Sequence, residues 1–344
     1  MKEFKIGERL IGADLPPFII AEAGINHDGD FDKAIQLVDA AKECGADCIK
    51  FQYHITEAEL IKSTIKPGYL SNETLWDITK HIELSEDENI RIKEYCDKVG
   101  ITYMCTPFSR EAADKLNAMN VSAFKIGSGE CSNLPLLEHI AKMSKPMIVS
   151  TGMNDIESIR ESVEVIQKYD CPLMLMHCTS IYPTPYEKVR LGIIKQLQET
   201  FGLPVGLSDH STNIYVCMAG VALGACVLEK HFTVSSEWPG PDIGFSMEPN
   251  ELSELVQGSK AVFSALGGQK TVLPEEKPVK DFAFASVVAI SDVKSGDILG
   301  KDNIWVKKPG TGEIPAKNFD LILGKTAKEN IKKGQQLTHK MIAS

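Results

Sequence analysis

Two histidines stand at the ends of two short apolar runs that are separated by roughly the length of one helix. Val205-Gly-Leu-Ser-Asp-His210 and Val227-Leu-Glu-Lys-His231 flank an apolar segment, 214–224. If the runs are neighbouring parallel strands, both histidines leave the sheet at its carboxyl end, where parallel α/β folds keep their active sites. Two imidazoles there can hold a divalent metal ion and leave coordination positions open for substrate. The alternative is a pair of structural histidines satisfied by hydrogen bonds.

Eight short apolar runs bounded by turn residues alternate with segments of helical periodicity. This pattern predicts an α/β fold, a closed (β/α)8 TIM barrel. A doubly wound open sheet is the alternative, but it usually has fewer strands and carries a Gly-rich dinucleotide loop, which we do not find. The predicted strands are 17–24, 48–54, 101–107, 123–130, 146–152, 173–178, 204–210 and 226–232.

Polar residues interrupt these runs, although buried parallel strands should read as continuous Val, Ile and Leu. Lys50 and Lys125 are the clearest cases, because burying an unpaired ammonium is costly. Lys125 is followed by Gly127-Ser128-Gly129, whose backbone amides can approach an anion. With Ser150 and Ser208 at other strand ends, these residues predict a cradle for phosphate or carboxylate. The alternative for Gly-Ser-Gly is an ordinary turn.

Two carboxylates and two stiff loops complete the candidate site. Glu22 and Glu130 end predicted strands, where they could position water or exchange protons, or form salt bridges to the lysines. Tyr182 lies in a Tyr-Pro-Thr-Pro loop, and Asp242 follows Trp238-Pro-Gly-Pro. Such loops can orient a sugar at a barrel mouth or serve only as architecture.

Composition excludes several classes of protein. The 344 residues are 43% hydrophobic and 24% charged, as in soluble globular proteins. The net charge of −10 is not offset by a basic arm, which argues against nucleic acid as a partner. We find neither an apolar run that could span a bilayer nor a signal peptide, so we expect no membrane partner and a cytoplasmic location. The nine cysteines show no CxxC spacing.

The barrel pattern stops after Gly267-Gly268, which predicts a catalytic barrel over 1–268, a linker over 269–280 and a small, mostly β domain over 281–344. Within the last segment, 292–304 echoes 330–342. Each predicts a turn between short strands followed by a helical turn. The long connection 55–84 is a candidate lid or dimer contact.

Motifs spread over the barrel resemble those of the sialic acid (N-acetylneuraminate) synthases and their legionaminic and pseudaminic acid relatives. The tail is similar to the antifreeze-like (SAF) domain of that family, with Asn303-Ile-Trp-Val-Lys-Lys-Pro-Gly310 as its clearest motif. The barrel motifs are Ile20-Ala-Glu-Ala-Gly-Ile-Asn-His-Asp-Gly29, Lys50-Phe-Gln-Tyr-His54, Cys105-Thr-Pro-Phe-Ser-Arg110, Phe124-Lys-Ile-Gly-Ser-Gly-Glu-Cys131, Tyr182-Pro-Thr-Pro185, Gly206-Leu-Ser-Asp-His210 and Glu229-Lys-His-Phe232.

The resemblance implies that phosphoenolpyruvate condenses with N-acetylmannosamine, or a related 2-acetamido sugar, to give a nine-carbon 2-keto acid and phosphate. By motif position, His210 and His231 would bind Mn²⁺, with Mg²⁺ and Co²⁺ as alternatives, and Glu22 and Glu130 would lie near the tetrahedral intermediate. A domain-swapped homodimer is also implied, in which the SAF domain delivers a basic residue to the partner's sugar. The substrate residues implied are Lys50, Lys125, Ser128, Ser150 and Ser208 for phosphoenolpyruvate, and Gln52, Thr106, Phe108, Tyr182, Asp242 and Phe282 for the sugar.

Two departures from the family pattern bear on the sugar. Lys308 replaces the usual arginine and cannot make a planar, bidentate contact, and Ser180 replaces an asparagine. We predict an N-acetylneuraminate synthase, with an N,N'-diacetyllegionaminate synthase that uses 2,4-diacetamido-2,4,6-trideoxymannose as the alternative. A carbohydrate-binding or ice-binding-like module on an inactive barrel would have lost the polar strand ends, which are intact here. The 3-deoxy-keto-acid synthases lack a SAF module.

Overall fold

Eight parallel strands close into a barrel in chain order, with the last strand pairing with the first. The computed structural model describes residues 4–67 and 73–343, and the chain divides into two units, 1–267 and 268–344. The barrel occupies the first unit and confirms the predicted TIM barrel. A hairpin of β1 (Phe4–Ile6) and β2 (Arg9–Ile11) precedes it. The barrel strands are β3 (Phe18–Gly24), β4 (Cys48–Tyr53), β5 (Thr102–Pro107), β6 (Phe124–Ile126), β7 (Met147–Ser150), β8 (Leu173–Cys178), β9 (Val205–Asp209) and β10 (Val227–His231).

Helices follow the strands, and several begin at side-chain caps. Ser85 and Glu88 form a reciprocal capping box at the start of the helix Glu86–Val99, and Gly100 ends this helix in the left-handed conformation. No helix in the described part of the chain is long and apolar enough to cross a membrane. The helices are α1 (Phe31–Glu43), α2 (Thr56–Glu59), α3 (Leu75–Ile82), α4 (Glu86–Val99), α5 (Arg110–Ala118), α6 (Leu134–Ala141), α7 (Ile156–Gln167), α8 (Tyr186–Val189), α9 (Gly192–Phe201), α10 (Tyr215–Ala222), α11 (Pro249–Ala265) and α12 (Lys277–Ala283).

The barrel interior is built in layers, because side chains two residues apart on a strand point to the same side. Toward the amino-terminal ends the interior is an apolar cluster. On seven of the eight strands, a polar side chain that lines a cavity stands two residues after a member of this cluster. The alternation therefore places the polar side chains in one layer, which lies next to the apolar cluster on the side of the carboxyl ends of the strands. The pairs are Ile20 and Glu22, Cys48 and Lys50, Met104 and Thr106, Ala123 and Lys125, Ile148 and Ser150, Met176 and Cys178, and Val227 and Glu229.

The hairpin of β1 and β2, which the sequence did not predict, covers the amino-terminal end of the barrel. Phe4, Ile6 and Ile11 are each no more than 5% exposed and belong to the same cluster as the apolar barrel base. Arg9 lies 5.1 Å from the ring centroid of Phe18. Strands of three residues show too little periodicity to be recognised from sequence alone.

The long connection 55–84 carries α2 and α3 rather than one open loop, and residues 68–72 of it lie outside the described part. The carboxylate of Glu83 accepts hydrogen bonds from the backbone nitrogen and hydroxyl of Thr56, at 3.1 and 2.6 Å. These bonds tie the end of α3 to the start of α2. The predicted lid or dimer role stays a prediction.

The second unit is a small domain with its own core around the sheet of β11 (Ser286–Ala289) and β12 (Ile304–Lys307). The predicted internal echo is present, because Val293 and Ile331 exchange backbone hydrogen bonds of 2.9 and 2.8 Å. The predicted linker 269–280 is exposed throughout. It is not structureless, since it contains a 3₁₀ turn, Pro274–Glu276, and the beginning of α12. Proline at the start of that helix favours it.

Candidate active site

Four charged side chains form a buried cluster in the polar layer of the barrel. Lys50 Nζ lies 2.5 Å from Glu22 Oε2 and 3.8 Å from Glu229 Oε2, and Lys125 Nζ lies 3.3 Å from Glu229 Oε1. Each side chain is at most 6% exposed. The charges of the two ammonium groups and the two carboxylates cancel. Removing any one of the four would leave a buried charge without its partner, which would destabilise the fold.

Hydroxyl groups complete this cluster. Lys50 Nζ donates to Thr106 Oγ1 at 3.2 Å, and Lys125 Nζ donates to Ser150 Oγ at 2.8 Å. Ser208 Oγ donates to Glu229 Oε1 at 2.9 Å. The structure thus brings together the lysines and the serines of β7 and β9 that the sequence proposed as an anion cradle.

The pKa values within the cluster diverge. Burial raises the pKa of Glu22, and nearby Lys50 offsets this only in part. Burial also opposes the ionisation of Glu229, but Lys125 and Lys50 outweigh it and hold its pKa below the usual range. Burial lowers the pKa of Lys125, whereas the pKa of Lys50 is raised because Glu22 and Glu229 outweigh its burial. Glu229 is therefore the firm anion of the cluster, and Lys125 is the cation most sensitive to its neighbours.

A cavity of about 590 Å³ opens above the cluster. Gly152 shapes one wall, because a Cβ atom there would lie 2.3 Å from Ser180 Oγ and 2.7 Å from Ser128 Oγ. Its backbone nitrogen instead donates to Ser128 Oγ at 3.1 Å. The predicted residues lining this cavity are Glu22, Lys50, Gln52, Thr106, Phe108, Lys125, Ser128, Ser150, Ser180, Tyr182, Ser208, His210 and His231.

The two histidines face each other at the rim, with ring centroids 5.4 Å apart. His210 Nδ1 lies 3.1 Å from the Thr179 carbonyl, which fixes a proton on Nδ1 and leaves Nε2 to act as a ligand. His231 Nδ1 is buried, has no hydrogen-bond partner within the described residues and lies 3.5 Å from Asp242 Oδ2. Burial lowers the pKa of His231 well below its usual value, so this imidazole stays neutral.

This donor set fits a divalent metal ion. Imidazole nitrogens suit Mn²⁺, Mg²⁺ or Co²⁺, and the buried, unpaired Nδ1 of His231 is available as a ligand. Within 4–67 and 73–343, no group of three or more His, Cys, Asp or Glu side chains is arranged to hold a metal ion. An ion held by two imidazoles has coordination positions left for water and substrate.

A second cavity of about 810 Å³ adjoins the first and shares Gln52, Phe108, Tyr182 and His231 with it. Its outer wall is apolar and includes α3. Burial and the neighbouring Glu22 raise the pKa of Asp242, which also lines it, to about 7. The second cavity suits a polar molecule with both hydroxyl groups and apolar faces.

Three predicted residues are not placed in these cavities. Glu130 lies in the 3₁₀ turn Ser128–Glu130, where its carboxylate accepts a hydrogen bond of 2.5 Å from Asn133, so the structure does not bring it to Glu22. Phe282 and Lys308 belong to the second unit, and both are exposed within it.

Sequence reasoning missed two members of the site. Glu229 lies inside a buried strand, and the argument applied to Lys50 would have identified it, because a charge at such a position needs a partner. His54 lines the second cavity and stacks on Phe108 with ring centroids 4.5 Å apart. It stands four residues after Lys50 and directly follows the same strand, β4, and that spacing was the available signal.

Known proteins share this architecture. A model of the NeuB family matches residues 37–271, and a SAF domain model matches residues 284–343. An uncharacterized protein of Methanocaldococcus jannaschii is 45% identical over 332 residues, 96% of each chain. The N,N'-diacetyllegionaminic acid synthase of Legionella pneumophila is 37% identical over 337 residues, 95% of this chain and 94% of that protein.

A solved structure agrees with these relatives. The N-acetylneuraminic acid synthetase of Leptospira borgpetersenii superposes with a TM-score of 0.74 at 32% identity, covering 81% of this chain and 95% of that one. The residues matched by the two family models include Lys50, Lys125, Glu229, both histidines and the small second domain, whereas Glu22 precedes them. This chain therefore belongs to the NeuB family of sialic acid synthases and their relatives, and it carries a SAF domain.

Proposed function

We propose that this protein condenses phosphoenolpyruvate with N-acetylmannosamine to give N-acetylneuraminate and phosphate. The observation that carries the proposal is the presence of two adjoining cavities at one end of the barrel. One lies above the buried lysine cluster and is bordered by the two facing histidines, and the other combines an apolar outer wall with polar groups from Gln52, Tyr182 and Asp242. One site suits a small anion and the other a sugar. Members of the NeuB family are synthases that join these two classes of substrate.

The lysine cluster would hold phosphoenolpyruvate. Lys50 and Lys125 offer ammonium groups, and Ser128, Ser150 and Ser208 offer hydroxyls, all directed into one cavity. Charge-assisted hydrogen bonds of this kind bind phosphate and carboxylate oxygens strongly in a buried site.

Mn²⁺, when bound, would be held by His210 and His231 and would polarise the aldehyde of the open-chain sugar. The protein's own task is then to orient the methylene carbon of phosphoenolpyruvate toward that aldehyde and to place a water for addition. Glu22 lies on the cavity wall and has a raised pKa, so it suits the handling of a water proton. Glu130, on the rim, would need to turn inward to assist.

The second cavity would hold the sugar. Gln52, Tyr182 and Asp242 offer polar groups, and Phe108 offers an apolar face. Phe282 and Lys308 would complete the pocket from the partner in a domain-swapped homodimer.

The identity of the sugar depends on few groups. Lys308 and Ser180 depart from the family pattern, and a Legionella relative is named as a legionaminic acid synthase. N,N'-Diacetyllegionaminate synthesis from 2,4-diacetamido-2,4,6-trideoxymannose is therefore the second candidate.

Phosphate release from phosphoenolpyruvate with Mn²⁺ tests the proposal. The acceptors to compare are N-acetylmannosamine, 2,4-diacetamido-2,4,6-trideoxymannose and none. We expect the highest kcat/KM with N-acetylmannosamine and no release without acceptor. A higher kcat/KM with the diacetamido sugar would indicate that the protein is a legionaminate synthase. If phosphate is released with neither sugar, both candidate functions are rejected.

A further inference from the structure

A continuous chain of hydrogen bonds runs from Glu59 on α2 to Glu22 in the buried charged cluster. His54 Nδ1 lies 2.9 Å from Glu59 Oε1, and His54 Nε2 lies 3.0 Å from Gln52 Oε1. Gln52 Nε2 then donates to Glu22 Oε1 at 3.2 Å. Four side chains thus connect a carboxylate at the edge of the site with the carboxylate beside Lys50.

The hydrogen bonds follow from the orientation of the Gln52 amide, whose oxygen faces His54 and whose nitrogen faces Glu22. The carboxylate of Glu59 accepts, so His54 Nδ1 donates to it. The amide oxygen of Gln52 also accepts, so in this orientation His54 Nε2 donates to it. The amide NH₂ of Gln52 donates to Glu22.

The surroundings hold this ring in place. The side chains of His54 and Glu59 are 11% and 7% exposed. Phe108 stacks on the imidazole at 4.5 Å with an angle of 12° between the rings. Charged or titratable groups that interact with His54 from other elements are Glu59 on α2, His27 after β3 and Asp242 after β10.

We propose that His54, clamped by Glu59, is a positioning residue that fixes the amide of Gln52 with its NH₂ end toward Glu22. A glutamine amide is nearly symmetrical in shape, so packing alone does not choose between its two orientations. The flipped orientation would put the amide oxygen against a carboxylate oxygen of Glu22 and the NH₂ against an N–H of His54. Donation by His54 removes that ambiguity and keeps Glu22 directed at Lys50 and the cavity.

Two substitutions separate this role from simple packing, and the kinetic test rests on the proposed function. His54→Phe keeps a ring that can stack on Phe108 but cannot donate. His54→Gln keeps an N–H donor but loses the ring. We expect His54→Phe to lower kcat by roughly 10- to 100-fold, with a Tm and a KM for phosphoenolpyruvate close to the wild type. We expect His54→Gln to retain most of kcat.

The opposite ranking would overturn the proposal, because it would show that the ring's packing is what matters. Glu59→Gln should lower kcat in the same direction as His54→Phe. The two changes combined should cost little more than His54→Phe alone, since both act through Gln52. The matched control is His139→Phe, which removes a partly exposed histidine that is paired with Asp114 away from the site.

A spectroscopic measurement tests the proposal without turnover. Histidine-labelled protein with ¹⁵N in the rings should show a signal with both nitrogens protonated near neutral pH, and that signal should be absent in His54→Phe. A signal from His54 with only one protonated nitrogen would reject the arrangement even if phosphate release proceeds normally. The doubly protonated signal in a protein inactive with every acceptor would reject the proposed function and leave the positioning role standing.

Discussion

Asp209 Oδ2 and Lys230 Nζ lie 2.9 Å apart, and each residue directly precedes one of the two facing histidines. Both side chains are 1% exposed. Because side chains alternate along a strand, this pair lies outside the barrel while His210 and His231 point into it. Ser211 Oγ also donates to Asp209 Oδ2 at 2.8 Å, and Lys230 donates to the Ser211 carbonyl. The ion pair thus ties the ends of β9 and β10 together where the histidines emerge.

Lys230→Met should destabilise the fold by about 3–5 kcal/mol, because it leaves the carboxylate of Asp209 buried without its partner. It should also weaken Mn²⁺ binding by loosening the loop that carries His210. Urea unfolding and metal titration measure the two effects. Lys195→Met, in the exposed pair with Glu199, is the control and should change neither. Equal effects of both substitutions would show that the ion pair of Asp209 and Lys230 does not hold the ends of β9 and β10 together.

His210→Ala should abolish Mn²⁺ binding and phosphate release while the barrel stays folded. The reason is that His210 offers Nε2 as a ligand, with Nδ1 engaged by Thr179. Electron paramagnetic resonance of Mn²⁺ follows binding, and circular dichroism follows the fold. His139→Ala supplies the control. If the variant releases phosphate without added metal, the assignment of His210 as a metal ligand is wrong.

Glu229→Gln should make the binding of phosphoenolpyruvate depend more steeply on pH. Burial already lowers the pKa of Lys125, and Glu229 is the strongest influence that raises it. Without that carboxylate, the pKa of Lys125 falls further and the ammonium is lost at a lower pH. As the pH rises, KM should therefore begin to increase at a lower pH in the variant than in the wild type. Parallel profiles for both proteins, with Glu199→Gln as control, would exclude this role.

Acid should destabilise the protein through His27. Burial lowers the pKa of His27 to about 4 from 6.5, and the amide of Gly29 donates to its Nδ1 at 3.1 Å. Between those two pH values, His27 binds a proton in the unfolded chain but not in the folded chain. Stability is thus lost as pH falls through this window, by up to about 3 kcal/mol.

His27→Gln should flatten this part of the stability curve, because glutamine does not titrate. Denaturant unfolding at a series of pH values measures it. His81→Gln, which removes an exposed histidine, is the comparison and should leave the curve unchanged. A slope that is the same in all three proteins would assign the acid loss to other groups.

Lys308→Arg should raise kcat/KM for N-acetylmannosamine several-fold relative to the diacetamido sugar, because guanidinium can make a planar, bidentate contact with the acceptor. The neighbouring exposed Lys307→Arg is the matched control. No change with either sugar would remove Lys308 from the substrate site.

The barrel and most of its polar layer were predictable because alternation along a strand is local: Lys50, Lys125 and Ser208 follow from position alone. The direction of a side chain beyond a strand end is not local. Glu130 is hydrogen-bonded to Asn133 because a 3₁₀ turn, Ser128–Glu130, follows β6. The Gly-Ser-Gly sequence indicates a turn there but does not predict where the carboxylate of Glu130 points. Likewise, the chain from Glu59 to Glu22 depends on where α2 packs, which is a tertiary property.

The hairpin 4–11 covers the amino-terminal end of the barrel. Because Phe4, Ile6 and Ile11 pack into the apolar cluster at that end, molecules reach the charged cluster from the opposite end. Under the proposed function, the two substrates would occupy adjoining cavities that share Gln52, Phe108, Tyr182 and His231, so each substrate would bind against the other.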